Sequence, residues 1–386
     1  MFDSSFGMKP SPNTGNAGST YCPLYMHTNL IFSRHAIEAV DRMFQDIYST
    51  VKSFAGITVV FGGDFQQTLP VVVKGTREDV VQATMQRSLI WNKVEIIHLR
   101  QNMRVWRDPD SLPFAQWLLD IGHGRQTHAE QTSLSVSVPQ FMCCNSESDL
   151  IANVYGSMTN RRDVPSPEFF KERAILAARN DDVWSLNSTI LAHLPGNERT
   201  YFSADSYSIE APTQQDNYNI PVEFLHGLNA SGLPIAELRL KLGCPIILLR
   251  NIDHKQGLCN GTRATITHMT NRLLEIQLLT GDHAGNRALI PRITLSPSLT
   301  GLDFAIKLNR RQFPIQLAFA MTINKSQGQS VNHIGIDLRK PVFAHGQLYV
   351  AFSRATSSQH IKVLLQDDAD REKTPNVVYS EILLNS

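Results

Sequence analysis

Residues Ala318 to Thr356 constrain this chain more than any other stretch. An apolar run gives way to a polar segment, Thr322-Ile323-Asn324-Lys325-Ser326-Gln327-Gly328-Gln329-Ser330. An apolar-rich piece, His333 to Leu338, then suits a buried strand. Gln347 to Ala355 follows as a helical pattern whose apolar face ends on Arg354. Lys325 and Arg354 thus lie in a core-like segment, where an unpaired buried charge is strongly unfavourable. Either they sit at element ends and reach solvent, or they converge on phosphates of a nucleotide or a nucleic acid.

With 386 residues the chain can build two or three domains with sizeable cores. Apolar residues make up 42% and charged residues 18%, an ordinary globular balance. The net charge of +1 gives no global basic signal, so any nucleic-acid site must be a local patch. The five cysteines show no CxxC spacing, which argues against a zinc site or a disulfide framework and for reduced thiols. No apolar run approaches the ~20 residues of a membrane span. Nor does the N-terminus show a signal pattern. A soluble intracellular protein is expected.

Taken in order, residues 1–30 are rich in Ser, Pro, Gly, Asn and Thr and read as a flexible lead-in. Ser33 caps a helix whose apolar face is Ala36, Ile37, Val40, Met43, Phe44 and Ile47. Gly56 to Phe61 reads as a buried parallel strand ending on Gly62-Gly63-Asp64, at the carboxyl end where open α/β sheets bind ligands. A tight turn capped by Asp64 is the plainer reading. Thr76 to Leu89 reads as a helix, Val94 to Leu99 as a strand and Leu112 to Ile121 as a helix. Residues 126–168 read as a connection holding one helix, Asp149 to Met158. Ala174 to Ala177, a polar turn and Val183 to His193 make a strand–turn–helix unit of a doubly wound sheet. Between 238 and 310, short β-rich runs at Pro245–Leu249, Ala264–His268, Leu273–Leu279 and Arg287–Ile293 alternate with Gly turns and argue an inserted small barrel. Phe313 to Ala320 then reads as one buried strand, and residues 371–386 as a polar tail.

Several of these segments resemble motifs of superfamily one DNA helicases of the petite-integration-frequency (Pif) family, in its Helitron transposon branch. Thr322 to Ser330 is similar to T-x-H-K-S-Q-G-x-T, with Asn324 in place of the His and Ser330 in place of the final Thr. Tyr349-Val350-Ala351-Phe352-Ser353-Arg354-Ala355 is similar to Y-V-A-x-S-R-A. Gly63 to Val71 resembles G-D-x-x-Q-L-P-P-V, Leu99 to Arg104 resembles L-x-x-N-M-R, and Leu258 to Arg263 resembles L-x-N-G-x-R. Asn180 and Asn187 occupy places that suit turn and helix fixing.

The resemblance implies two RecA-like parallel-sheet domains, residues 31–125 (incomplete) and 169–237 with 311–370. A small all-β Src-homology-type barrel, 238–310, is inserted in the second. It implies an ATP- and Mg²⁺-dependent 5′-to-3′ helicase acting as a monomer in the nucleus or mitochondrion, with single-stranded DNA or DNA junctions as partners. Gln67, Arg104 and Arg354 would be catalytic, and Gly63, Asp64, Gln67, Gln327 and Gly328 would bind nucleotide phosphates. Asn260, Gly261, Arg263, Thr322, Lys325 and Ser326 would bind DNA. An amide suits Gln67 because it donates and accepts without changing charge, and a planar guanidinium suits phosphate oxygens.

Two expected features do not occur in these residues. No G-x-x-x-x-G-K-[ST] phosphate loop is present, and no acid lies between Asp3 and Glu38, where a magnesium-binding Asp-Glu pair would precede the first helix. Hydrolysis by this chain alone is therefore not expected. The alternative is a non-catalytic transposon remnant that binds single strands through Arg250, Lys255, Arg263, Arg310, Arg311 and Lys325. A nucleotide-binding metabolic enzyme fits less well, because no G-x-G-x-x-G fingerprint follows a strand.

Overall fold

The computed structural model describes residues 24–26, 33–99, 111–125, 135–159, 163–209, 220–228, 232–296, 306–366 and 372–383. These fall into two compact units, one of 1–143, 326–330 and 337–386, the other of 144–325 and 331–336. Among the described residues no helix is long and apolar enough to cross a membrane.

In the first unit, Ser33 Oγ accepts the His35 N–H at 3.3 Å and opens helix Arg34–Ile47. The helix buries Ile37 against Phe54, Met85 and Ile90, while Met43 and Ile47 remain exposed. Strand Val59–Phe61 pairs in parallel with Leu24–Met26, so the lead-in contains a strand that its composition hides. With one partner strand among the described residues, Val59–Phe61 is only half-buried, not the buried strand expected. The helix expected over 76–89 is shorter. Thr76 and Asp79 form a capping box on Arg77–Gln82, and a separate 3₁₀ turn follows at Met85–Arg87. Val94–Leu99 forms no strand among the described residues, and Ile97 and Leu99 are 80% and 92% exposed. Helix Leu112–His123 forms as expected, closed by Gly124 in the left-handed region.

The chain's end is docked. Lys373–Pro375 pairs antiparallel with Ser135–Ser137, and Asn376 Nδ2 donates to Ile121 O at 2.9 Å. Arg77 forks onto Glu381 at 2.8 and 2.6 Å, and Ile382 is buried with Leu69 and Val81. A tail read as polar thus supplies core.

In the second unit, strand Arg173–Ala177 lies between Ala320–Thr322, its parallel partner, and His333–Leu338. Helix Asn180–His193 returns over it. Asn187 is buried, donates to Leu317 O at 3.2 Å and Ala320 O at 2.9 Å, and accepts from Ala320 N at 2.8 Å. Its amide therefore fixes the approach to the polar segment. The run 313–320 is not one strand. Ile315–Leu317 pairs antiparallel with Pro245–Leu248, whereas Ala320–Thr322 joins Arg173–Ala177.

The β-rich region is antiparallel throughout. Its five-stranded sheet has Arg287–Pro291, Leu273–Leu278, Arg263–Met269, Pro245–Leu248 and Ile315–Leu317 in that order. Ile293–Leu295, Ile306–Gln312 and Ala204–Ile209 form a second sheet. Arg310 and Asp205 pair between the last two strands with both side chains 0% exposed.

Candidate functional site

The loop after Val59–Phe61 is tied to helix Gln347–Ser353, and both belong to the first unit. Asp64 is the knot. One carboxylate oxygen accepts the Gln66 N–H at 2.9 Å. The other accepts from Tyr349 Oη at 3.1 Å and from Gln67 Nε2 at 3.3 Å. Asp64 thus holds the Gln67 amide from one side and the helix from the other. Gly346, just before that helix, has φ +71°, and a Cβ there would stand 2.3 Å from Gln66 O and 2.6 Å from Gln67 O. Only glycine allows this approach.

His345 adds a second tie. Its Nδ1 accepts the Tyr379 N–H at 2.8 Å, so the proton sits on Nε2, which donates to Phe65 O at 2.8 Å. Burial pushes its pKa below the ordinary histidine value, consistent with a neutral ring in both bonds. Gln347 Oε1 accepts from Phe343 N at 3.0 Å and Ala344 N at 3.2 Å, which shapes the turn before the helix. From sequence, His345, Gly346 and Gln347 have no role, and Tyr349 has only a place in the Y-V-A-x-S-R-A resemblance. Their partners lie far away in the chain, and only the left-handed glycine leaves a local signal.

Arg354 closes the helix. Its Nε donates to Val350 O at 3.0 Å, and Nη1 reaches Gln329 O at 3.2 Å and Ser326 O at 3.4 Å. These two carbonyls flank Gln327, whose Nε2 and Oε1 are both buried with no hydrogen-bond partner in the structure. An amide left this way is unfavourable by roughly 1–3 kcal/mol per group. Such a group marks a place where a ligand or water would be accepted. Gly328 beside it has φ +74°. Gln67, Asp64, Gly63, Gln327, Gly328 and Arg354 therefore all belong to one unit, and helix Gln347–Ser353 carries bonds to both the loop of Asp64 and the segment of Gln327. Arg104 lies outside the described residues.

The DNA-binding expectations fare unevenly in the second unit. Lys325 Nζ donates to Gln316 Oε1 at 3.0 Å, and burial pulls its pKa down to about 8. Thr322 ends the parallel strand, and the 3₁₀ turn Ile323–Ser326 follows it. Asn260 keeps its side chain exposed at a turn where Gly261 has φ +91°. Arg263, by contrast, is buried, and its guanidinium donates to the carbonyls of Phe170 at 2.8 Å, Arg173 at 2.9 Å and Lys171 at 3.4 Å. Arg310 spends its donors on Asp205, Leu225 O, Leu228 O and Pro234 O. Neither faces a groove, so both are corrected from phosphate contacts to internal supports. Arg250, Lys255 and Arg311 are not buried.

Parallel strands with helices and an inserted antiparallel β region are the architecture of RecA-like domains. The family model for PIF1-like helicase matches residues 23–132, and that for the DNA helicase Pif1 2B domain matches residues 223–269. The ATP-dependent DNA helicase PIF1 of Rattus norvegicus and that of Homo sapiens are each 29% identical to it. The matches take in 85% of this chain and 43% and 44% of those proteins, so the chain spans less than half of their length. Among solved structures, the Pif1 helicase from Candida albicans superposes with a TM-score of 0.59 at 21% identity, covering 94% of this chain and 76% of its own. The Bacteroides Pif1 helicase in complex with ADP-AlF3 and ssDNA gives 0.61 at 19% identity, covering 98% and 79%. Over most of its length the chain is thus similar to Pif1-type superfamily 1 helicases.

Proposed function

We propose that this chain is the C-terminal part of an ATP-dependent helicase that tracks 5′ to 3′ on single-stranded DNA, as a monomer, in the Helitron branch and with a nuclear location. The observation that carries the reading is the linkage of Asp64–Gln67, Gln327 and Arg354 through one helix. A solved relative holds ADP-AlF3 and ssDNA, which supports ATP and DNA as ligands here. ATP would supply the phosphoryl transfer that drives movement, with Mg²⁺ neutralising its charge.

The residues present fit part of that ligand. Gln327 offers an unpartnered donor and acceptor, Gln67 an amide fixed by Asp64, and Arg354 a guanidinium set by backbone carbonyls. Together they can read the state of a γ-phosphate. No phosphate-loop lysine and no acidic pair before the first helix occur in these residues, so the fit stops short of the metal. The domain division of the sequence reading is part of the same proposal. The second reading, a non-catalytic single-strand binder, keeps Lys325, Asn260 and Gly261 as backbone contacts and needs no turnover.

DNA-stimulated ATP hydrolysis and oligonucleotide binding by the 386-residue chain test this, with Arg354→Ala as control. The expected outcome is salt-sensitive single-strand binding with no hydrolysis above background. Hydrolysis abolished by Arg354→Ala would mean that a complete phosphate site exists here, and no binding even at low salt would sink both readings.

A further inference from the structure

Two turns of the inserted barrel meet outside the family motifs, and of their residues only Lys255 was read above as a single-strand-binding cation. One is the 3₁₀ turn His254–Gln256, which Asp253 caps and left-handed Gly257 ends. The other is the hairpin turn between Leu273–Leu278 and Arg287–Pro291, built on Gly281 and Gly285, both with positive φ. They approach closely, since a Cβ on Gly257 would lie 2.8 Å from His283 Cδ2. Between them is an open cavity of about 350 Å³ lined by Lys255, Gln256, Leu278, His283, Asn286, Arg287 and Ala288.

The lining decides what can enter. Two fixed cations, an imidazole and two amides face the cavity, and no carboxylate does. Pockets for drug-sized ligands are mostly apolar, whereas only Leu278 and Ala288 are apolar here. Three acids lie nearby: Asp282 is exposed beside His283, and the other two are bonded. Asp253 accepts from Lys255 N at 2.9 Å and from Gln256 Nε2 at 3.0 Å. Glu275 stands 3.9 Å from Arg287 in an exposed pair, which holds a guanidinium only weakly. Lys255 and Arg287 are exposed and sit at the ends of turns stiffened by glycine geometry. In a chain of net charge +1 this is a local concentration of positive donors.

We propose that this cavity binds a phosphodiester of single-stranded nucleic acid, with Lys255 and Arg287 on the phosphate oxygens and His283 and Asn286 completing the contacts. The phosphate identity rests on the lining alone; the choice of a nucleic-acid source rests on the DNA-binding reading above. The site is separate from the Asn260-Gly261 turn and from Lys325, and adds a contact on the barrel itself.

The test uses the full chain with ¹³C-labelled histidine, titrated with a thymidine dinucleotide and, separately, with inorganic phosphate. A labelled oligothymidine is followed in parallel over a salt series. His283 resonances, assigned with His283→Gln, should shift saturably with the dinucleotide, and Lys255→Ala/Arg287→Ala should abolish the shift. Loss of two phosphate contacts should flatten the salt slope of single-strand binding by about 1.4. Arg272→Ala, an exposed cation of the same barrel outside the cavity, should leave the His283 shift intact. Unchanged slope and shift in the double variant would overturn the site. A shift with inorganic phosphate but not with the dinucleotide would overturn the nucleic-acid assignment. If the wild-type chain bound no oligothymidine, the helicase reading would fall too, whereas unimpaired binding by the double variant removes the cavity alone.

Discussion

Arg310 shows how far a residue's role can lie from its apparent chemistry. It is a cation on a β-strand, yet its side chain and that of Asp205 are 0% exposed. Removing one partner of a buried, fully bonded pair leaves the other charged and unsolvated. Arg310→Ala should therefore destabilise the chain by about 3–5 kcal/mol, read as a lower denaturation midpoint. Arg310→Met with Asp205→Leu should recover much of that loss, and failure to recover would mean that the bonds to Asp205 and to the Leu225, Leu228 and Pro234 carbonyls matter for more than charge. Lys325 gives a prediction of opposite kind. With a pKa of about 8 it is mostly charged at pH 7 and mostly neutral at pH 9. If it contacts DNA phosphates, single-strand affinity should fall as pH rises through 8, and Lys325→Arg should flatten that profile because arginine stays charged. A wild-type profile that is flat across this range would remove Lys325 from the interface.

At the scale of elements, what could be read from sequence was what neighbours in the chain decide. Ser33, Thr76 with Asp79, and Gly261 announce caps and turns through chemistry confined to a few residues. The regular spacing of Gly turns between 245 and 291 likewise made the inserted barrel legible. What could not be read depends on partners far along the chain. The run 313–320 looks like one apolar strand, but Ile315–Leu317 and Ala320–Thr322 serve different sheets. Val94–Leu99 has strand composition without a strand partner. Asp64 stands out in sequence at the end of a strand, but its bond to Tyr349, and that of His345 to Phe65, span about 280 residues. The docked terminal segment was missed for the same reason, and His345 makes it testable. The folded state depresses the pKa of His345, so protonation favours the unfolded chain. Its stabilising effect is present above the unfolded value of about 6.5 and is lost as pH falls through the lower folded value. His345→Gln should lower the midpoint at pH 8 and reduce the loss of stability on going to pH 5. An unchanged pH dependence would show that the ring does not titrate with unfolding.

For the molecule as a whole, the first unit combines a two-stranded parallel sheet with apolar side chains that water can reach. Val51, Leu89, Ile97 and Leu99 are each at least 80% exposed. Single exposed apolar residues are ordinary. The segment Val94–Leu99 differs because it has β-forming composition and carries Ile96, Ile97 and Leu99 close together. Such a segment, with only one charge, is prone to pair with another chain. On the proposed reading of a monomer acting on DNA this is a colloidal liability and not an assembly interface, so the association it drives should be progressive and without a defined stoichiometry. Light scattering across a micromolar-to-millimolar series should show apparent mass rising steadily with concentration. Ile97→Lys with Leu99→Lys should suppress that rise while leaving the thermal midpoint within the small range expected of surface changes. A plateau at a fixed dimer mass, abolished by the same pair, would instead identify Val94–Leu99 as a specific interface and overturn the monomer assignment.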